Sequence, residues 1–115
     1  YINAHGTGTA LNDVAETVSF KLALGDDAYK AHVSSIKGSV GHLLGAAGAT
    51  EAVATVLALK NGVVPPTINL DEIDPECDLD YTPNVPVEAP LTIGISDSLG
   101  FGGHNGCLAF RKFNG

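Results

Sequence analysis

The chain has 115 residues and a formal net charge of −7, from 6 basic and 13 acidic side chains. This acidity argues against binding to nucleic acid or to an anionic membrane surface. No apolar run is long enough and free enough of charge to cross a bilayer. With 44% hydrophobic and 6% aromatic residues, the chain can form a mainly aliphatic core, the size of one small domain or half of a larger one.

The first third of the chain is predicted to form a strand and a helix. Residues 1–4 have the pattern of a short strand. Asn12 or Asp13 is the expected N-cap of the helix, because Asp13 and Glu16 have capping-box spacing. Gly25 is expected to end it. The apolar face of this helix is expected to consist of Val14, Ala15, Val18 and Leu22.

A second strand and a very apolar second helix follow. Residues 32–36 are predicted to form the strand, and residues 43–60 the helix, which is apolar nearly all round and therefore expected to be buried on most sides. Such burial needs more protein than this chain supplies. Because the chain also lacks Met and opens inside a strand, we expect residues 1–115 to be a fragment of a longer protein. Glu51, the one acid in this helix, needs either a cationic partner such as Lys37 or a solvent-exposed face.

All six prolines lie between Pro65 and Pro90, which predicts an extended excursion with one edge strand near residues 79–81. Residues 92–98 and 106–113 then read as an antiparallel pair of strands. The resulting order, βαβαββ, indicates an α/β fold.

The spacing of the acidic side chains and of the cysteines does not match a metal-binding motif. The acids within residues 71–80 lack the glycine and terminal glutamate of a calcium loop, so a solvated loop is expected. Cys77 and Cys107 have no zinc-binding spacing and are expected to be free thiols.

Three glycine-rich motifs carry the side chains with catalytic chemistry. They are NAHGTGT at residues 3–9 with His5, SSIKGSVGH at residues 34–42 with Lys37 and His42, and GFGGHN at residues 100–105. Imidazoles donate hydrogen bonds to developing oxyanions and move protons near neutral pH. His42 precedes the predicted second helix, whose dipole would keep the imidazole neutral. No nucleophile accompanies these residues, and each one taken singly also fits a structural role.

The three motifs, with PPTINL at residues 65–70 and the continuation HLLGAAG at residues 42–48, resemble the β-ketoacyl-acyl carrier protein synthases of the elongating I/II type. The resemblance covers essentially the whole chain, in order. It implies an α/β fold that is the C-terminal half of a thiolase-like fold, βαβαββ, with a mixed sheet packed by helices. It also implies that the nucleophilic Cys lies upstream, in the other half.

The resemblance further implies a decarboxylative Claisen condensation of an acyl thioester with malonyl-acyl carrier protein in fatty acid elongation. Acyl carrier protein would be the partner, the full-length protein a homodimer and the location cytoplasmic. His5 and His42 would stabilise the enolate, and Lys37 would orient the site and tune its charge. The backbone N–H of Phe101 would complete the oxyanion hole, and its ring would gate the acyl pocket.

Binding roles are also implied by the resemblance. Thr7 and Thr9 would hold the phosphopantetheine arm of the substrate. Asn3, Glu51 and Ser96 match positions that bind a structural monovalent cation, Na⁺ or K⁺, in some members; no other cofactor is expected.

This sequence departs from the family pattern in the last glycine-rich region. Asp97 stands where Asn is usual, and Leu99 where Phe is common. The acid at Asp97 would strengthen a cation site or perturb the loop that carries Phe101.

The same motifs also bear on other functions of related proteins. A thiolase would carry Pro at the position of Leu43 and a Cys in the last turn, and a synthase of type III would replace one His by Asn. A polyketide ketosynthase keeps the same His–Lys–His set and remains an alternative. So does a non-catalytic scaffold or chain-length-factor-like partner, because the nucleophile is not in this chain.

Overall fold

The computed structural model describes residues 1–115. Its strands are β1 (Ile2–Asn3), β2 (Val33–Ser34), β3 (Val63–Val64), β4 (Val87–Glu88), β5 (Ile93–Leu99) and β6 (Asn105–Arg111). Its helices are α1 (Asn12–Leu24), α2 (Lys37–Val40) and α3 (Ala47–Asn61). Short 3₁₀ turns lie at Gly25–Lys30, Leu44–Ala46 and Phe101–Gly103.

The four-stranded sheet has the order β2-β1-β5-β6. Strand β1 is parallel to both β2 and β5, whereas β6 is antiparallel to β5. The predicted α/β class with a mixed sheet is therefore confirmed, as is the antiparallel pairing of the last two strands. A separate antiparallel ribbon of β3 and β4 lies at the two ends of the proline-rich excursion.

Two small apolar clusters hold the helices on the sheet. The first joins α1 to β1 and β2 through Phe20, Ile2 and Val33. The second joins the end of α3 to β3 through Leu59 and Val64. No helix is of the length and apolarity that a membrane span requires.

Helix α1 ends at Gly25 as predicted, but its start and its buried face differ from the prediction. Leu11 is the N-cap and no side chain caps the helix, so the predicted capping box is wrong. The Asp13 carboxylate instead accepts a hydrogen bond from the N–H of Gly8 at 3.2 Å. Glu16 also faces the preceding loop. Both carboxylates are used to hold that loop rather than the helix end.

The predicted apolar face of α1 is wrong as well. Glu16, Thr17 and Phe20 are the buried residues of the helix. Val18 and Leu22, expected to be buried, are 49% and 83% exposed. Hydrogen bonds to the polar members compensate their burial, and Phe20 supplies the apolar contact with the sheet.

The predicted helix at residues 43–60 begins later and is less buried than expected. Gly41 and Leu44 both have positive φ, at 79° and 51°, so the chain turns before α3 begins at Ala47. Only one face of α3 is buried within these 115 residues, and Val53 and Leu57 on the other face are 60% and 50% exposed. The prediction of burial on most sides is therefore wrong for this chain.

The predicted edge strand at residues 79–81 is not a strand. Here the chain makes a single backbone hydrogen bond to the sheet, from the N–H of Val33 to the carbonyl of Asp80 at 2.8 Å. Leu79 is buried in the first apolar cluster. The acids of residues 71–80 are exposed, as expected for a solvated loop, and Cys77 and Cys107 are free thiols.

Candidate active site

The topology brings the three glycine-rich motifs to one edge of the sheet. The loop with His5 follows β1, the turn with Lys37 follows β2, and the Gly100 turn follows β5. Because these three strands are mutually parallel, their C-terminal ends, and the loops that follow, lie side by side.

His5 and His42 meet at this edge. Their rings are arranged edge to face, with centroids 5.4 Å apart and an interplanar angle of 87°. His5 is buried, and this burial, followed by the positive charge of Lys37, lowers the pKa of its imidazole. His5 is therefore neutral at pH 7. Its Nδ1 is buried without a hydrogen-bond partner in this chain.

A backbone hydrogen bond orients the ring of His42. Its Nδ1 accepts a hydrogen bond from the N–H of Leu44 at 3.2 Å. Because a backbone N–H can only donate, Nδ1 carries no proton and Nε2 is the donor. The helix-dipole argument for this residue is wrong, since α3 begins only at Ala47. The local hydrogen bond gives the same chemical result.

Lys37 forms a buried ion pair with Glu51. The ammonium and the carboxylate Oε1 are in direct contact, and their side chains are only 6% and 2% exposed. Of the two environments considered for Glu51, the structure shows the buried one with Lys37 as the partner. The pair joins the turn after β2 to the buried face of α3.

Asn3, Glu51 and Ser96 are all buried where helix α3 packs against strands β1 and β5. Asn3 on β1 is in register with Ser96 on β5, and all three are buried. Two of their oxygens, Asn3 Oδ1 and Glu51 Oε2, are buried without a hydrogen-bond partner. Unpaired oxygens of this kind are the ligands that hard cations prefer, so the residues present fit the predicted cation.

Asp97 lies close enough to Glu16 for the charges of the two carboxyl groups to interact, and its Oδ1 is buried without a hydrogen-bond partner. Burial, followed by the negative charge of Glu16, raises the pKa of Asp97 to about 7. The family departure at this position thus adds a second carboxyl group beside Glu16.

A cavity of about 840 Å³ opens beside this edge of the sheet. Thr7, Thr9, Lys37 and His42 line it on one side, and the start of the proline-rich excursion lines the other. The hydroxyls of Thr7 and Thr9 are hydrogen-bonded to each other at 2.9 Å. The two threonines predicted to hold the substrate arm therefore face the same cavity as two of the predicted catalytic residues.

A smaller cavity of about 460 Å³ is lined by both histidines and by Gly100. His42 borders both cavities. The ring of Phe101, at the tip of the turn after Gly100, is 96% exposed. The structure thus brings the turn to the histidines but places the predicted gating ring in solvent.

Residues 1–71 match the family described as beta-ketoacyl synthase, C-terminal domain. This is more than half of the chain. The chain belongs to the β-ketoacyl synthase family. The match includes both histidines, Lys37 and Glu51.

Two curated relatives illustrate the range of this family. The 3-oxoacyl-[acyl-carrier-protein] synthase 2 of Synechocystis sp. is 57% identical over 98% of this chain and 27% of the relative. The tetracenomycin polyketide synthase ketoacyl synthase alpha subunit of Streptomyces glaucescens is 55% identical over 97% of this chain and 26% of the relative. The chain thus spans about a quarter of the length of the curated relatives it matches.

Solved structures show the same thiolase-like fold. A ketosynthase solved in complex with a type II polyketide synthase acyl-carrier protein has a TM-score of 0.95 and 41% identity. That comparison covers 98% of this chain and 28% of the solved one. The predicted family and fold class are confirmed.

Sequence reasoning missed two residues of this ketosynthase domain that hold the His5 loop, Glu16 and Ser35. Glu16 was assigned to a capping box, and Ser35 was read only as part of a motif. The sequence did contain a signal for Glu16. It lies four residues before Phe20 and therefore on the helix face that packs against the sheet.

Proposed function

We propose that the chain is the C-terminal part of a 3-oxoacyl-acyl carrier protein synthase that elongates fatty acids. The reaction is the decarboxylative Claisen condensation of an acyl thioester with malonyl-acyl carrier protein. One observation carries the proposal: two imidazoles lie in edge-to-face contact at the strand ends, and both line one cavity while His42 also lines a second. Similarity to a synthase 2 of fatty acid synthesis supports the choice of pathway.

In the proposed mechanism, the acyl group is first carried as a thioester on a Cys outside this chain. The bond from the malonyl methylene carbon to its carboxylate then breaks, CO₂ leaves, and the electron pair moves into the enolate of the malonyl thioester. His42 Nε2–H and the His5 imidazole donate hydrogen bonds to the enolate oxygen. The enolate carbon attacks the acyl carbonyl, and the Cys thiolate leaves. Such preorganised donors are worth most where charge develops.

Lys37 acts on this site through its charge. Burial lowers the pKa of His5, and the positive charge of the Lys37 ammonium, held by Glu51, lowers it further and so favours the neutral imidazole. A cationic His5 would bind the anionic malonyl carboxylate in the ground state as well as the enolate. Uniform binding of this kind does not accelerate the chemical step.

Acyl carrier protein is the proposed partner, and Thr7 and Thr9 the proposed contacts for its phosphopantetheine arm. Both threonines line the larger cavity, which His42 also lines. A related ketosynthase was solved bound to an acyl-carrier protein, which supports this partner. A homodimer and a cytoplasmic location belong to the same proposal.

A structural Na⁺ or K⁺ bound by Asn3, Glu51 and Ser96 is also part of the proposal. Its charge would pair the buried oxygens that have no partner. We expect the thermal midpoint of the full-length protein to fall when choline replaces Na⁺ and K⁺ in the buffer. Ser96→Ala should reduce this difference, because it removes one ligand. Equal midpoints of the wild type in all three salts would contradict the cation site.

The exposed Phe101 ring allows a separate prediction about acyl loading. Phe101→Ala keeps the backbone N–H but removes the ring, so acylation rate or chain-length preference should change roughly tenfold. Malonyl decarboxylation should change less. Phe113→Ala removes another exposed aromatic ring and serves as the matched control. Equal loss of acylation and decarboxylation would instead indicate collapse of the turn.

The polyketide alternative is kept because a polyketide ketoacyl synthase subunit is almost as similar as the fatty acid enzyme. The full-length protein, supplied with an acyl-carrier protein and excess malonyl-carrier protein, distinguishes the two by the mass of the products. A fatty acid synthase gives one 3-oxoacyl product per acyl group. Repeated addition of two-carbon units without reduction would support the polyketide alternative.

A further inference from the structure

We propose that Thr67 is a positioning residue, whose hydroxyl joins the end of β2 to the proline-rich excursion and so fixes the segment that carries Lys37 and His42. This inference rests on the proposed function, in which His42 stabilises the enolate. It assigns a role to a side chain of the PPTINL motif that neither the proposed reaction nor the proposed cation site uses.

Strand β2 is an edge of the four-stranded sheet, so one side of its backbone has no neighbouring strand. The excursion covers this side. The N–H of Val33 donates to the carbonyl of Asp80, and the carbonyl of Val33 accepts from Thr82 Oγ1 at 3.0 Å. The N–H of Ser35 donates to Thr67 Oγ1 at 3.1 Å. Two threonine hydroxyls therefore pair edge groups that would otherwise lack a partner.

The Thr67 hydroxyl is fully used inside the chain. While it accepts from Ser35, it donates its proton to the carbonyl of Tyr81 at 2.7 Å. The backbone of Thr67 is also held, because its N–H donates to Thr82 and its carbonyl accepts from Asn84, both at 2.9 Å. Thr67 lines the larger cavity, but its only proton is committed, so it has none to donate to a substrate there. We therefore assign it a positioning role.

The bond at Ser35 acts on a rigid segment. Helix α2 is a single turn closed by backbone hydrogen bonds to the carbonyls of Ile36 and Lys37. The last of these joins the N–H of Gly41, the residue before His42, to the carbonyl of Lys37 at 2.9 Å. Because Ser35 precedes this turn by two residues, a bond that fixes Ser35 also fixes the backbone that leads to His42.

Ile68, the next residue of the excursion, packs against the same turn. A Cβ at Gly38 would lie 3.0 Å from Ile68 Cγ1 and 3.1 Å from the Ile68 carbonyl oxygen. Both distances are shorter than an ordinary van der Waals contact, so only glycine lets α2 approach the excursion this closely. The excursion thus holds α2 by a hydrogen bond from Thr67 and by a packing contact from Ile68.

The test uses two substitutions of Thr67 in the full-length protein. Thr67→Val keeps the shape of the side chain but removes the hydroxyl, whereas Thr67→Ser keeps the hydroxyl. We expect kcat for malonyl decarboxylation to fall roughly tenfold in Thr67→Val, the cost of a small misplacement of catalytic groups. Thr67→Ser should retain most of the wild-type kcat. The KM for malonyl-carrier protein and the rate of acyl loading should remain unchanged in both.

Thr82→Val is the matched control, because it removes the other threonine hydroxyl that covers the edge of β2. Its partner, Val33, lies in the first apolar cluster and precedes the Lys37 turn. Both valine variants should lower the thermal midpoint, but only Thr67→Val should lower kcat. Equal falls in kcat for the two variants would indicate general damage and overturn the inference. A raised KM with unchanged kcat in Thr67→Val would indicate a substrate contact and also overturn it.

A double-mutant comparison tests whether Thr67 acts through the segment with His42. In a His42→Ala background, Thr67→Val should cause much less further loss of decarboxylation than it causes in the wild type. In a His5→Ala background it should keep most of its effect. An equal further loss in both backgrounds would overturn the inference. If His42→Ala itself leaves decarboxylation unchanged, the proposed function fails, and this inference fails with it.

Gly38→Ala provides a second variant in case Thr67→Val does not fold. The added methyl group pushes against Ile68, so decarboxylation should slow while acyl loading continues. Ser39→Ala, at an exposed position of the same turn, is its control and should have no effect. Decarboxylation at the wild-type rate in Gly38→Ala would overturn the part assigned to Ile68. Together with a folded Thr67→Val of wild-type rate, it would overturn the whole.

Discussion

Replacing His42 by alanine in the full-length protein should lower CO₂ release from malonyl-carrier protein by about 10²- to 10³-fold, the cost of losing one preorganised oxyanion donor. His42 has a defined donor, Nε2–H, because the Leu44 N–H occupies Nδ1. His5→Ala should cause a loss of similar size. Since the two rings act on one oxygen, the double variant should lose less than the product of the single losses.

Acyl loading is the internal control for these variants. In the proposed mechanism it uses a Cys outside this chain, so it should continue when either imidazole is removed. His32→Ala tests whether the loss of any imidazole matters. The His32 Nδ1 lies 2.7 Å from the Asp80 carboxylate, and this pair is away from the sheet edge that carries His5 and His42. Wild-type CO₂ release by His42→Ala would contradict the role assigned to the pair.

Lys37→Met should destabilise the full-length protein by roughly 3–5 kcal/mol, because it leaves the Glu51 carboxylate buried and unpaired. Both side chains of the pair are almost fully buried, so solvent cannot replace the lost partner. The measurement is the free energy of unfolding in urea.

Two further variants make this prediction specific. Lys60→Met removes an exposed lysine from the end of α3 and should have little effect. Lys37→Met combined with Glu51→Met removes both charges and should recover much of the lost stability. A loss for Lys37→Met no larger than that for Lys60→Met would show that the pair contributes little.

The layered fold was predictable from local patterns. Glycine-rich motifs after short apolar segments marked the ends of β1, β2 and β5, and parallel pairing then placed the motifs together. The pairing of β5 with β6 followed from two alternating segments joined by a glycine-rich turn. The strand ends and the β5–β6 pairing depend on neighbours in sequence, which a sequence displays directly, whereas the parallel pairing of β1 with β5 joins opposite ends of the chain.

The helix faces were not predictable in the same way. The apolar pattern of α1 suggested Val18 and Leu22 as core residues, yet Glu16 and Thr17 are buried. Polar burial depends on hydrogen-bond partners distant in sequence, here the His5 loop and Tyr81. The start of α3 depended on backbone turns at Gly41 and Leu44, and a positive φ at leucine has no sequence signal.

For the site, the motifs identified the histidines and Lys37, but not how they are held. That Glu51 pairs with Lys37 was one of two alternatives, and only the structure shows the buried pair. The spacing of Glu16 fits a capping box, but it fits a contact with the preceding loop equally well. Spacing alone therefore did not distinguish the two roles. The functional roles themselves remain predictions.

The most direct test measures CO₂ and 3-oxoacyl thioester together, using the full-length wild-type protein with an acyl-carrier protein and malonyl-carrier protein. We expect equal amounts of the two products, because each condensation releases one CO₂. A folded protein that forms neither product would contradict the proposed function and favour a non-catalytic scaffold or chain-length-factor-like partner.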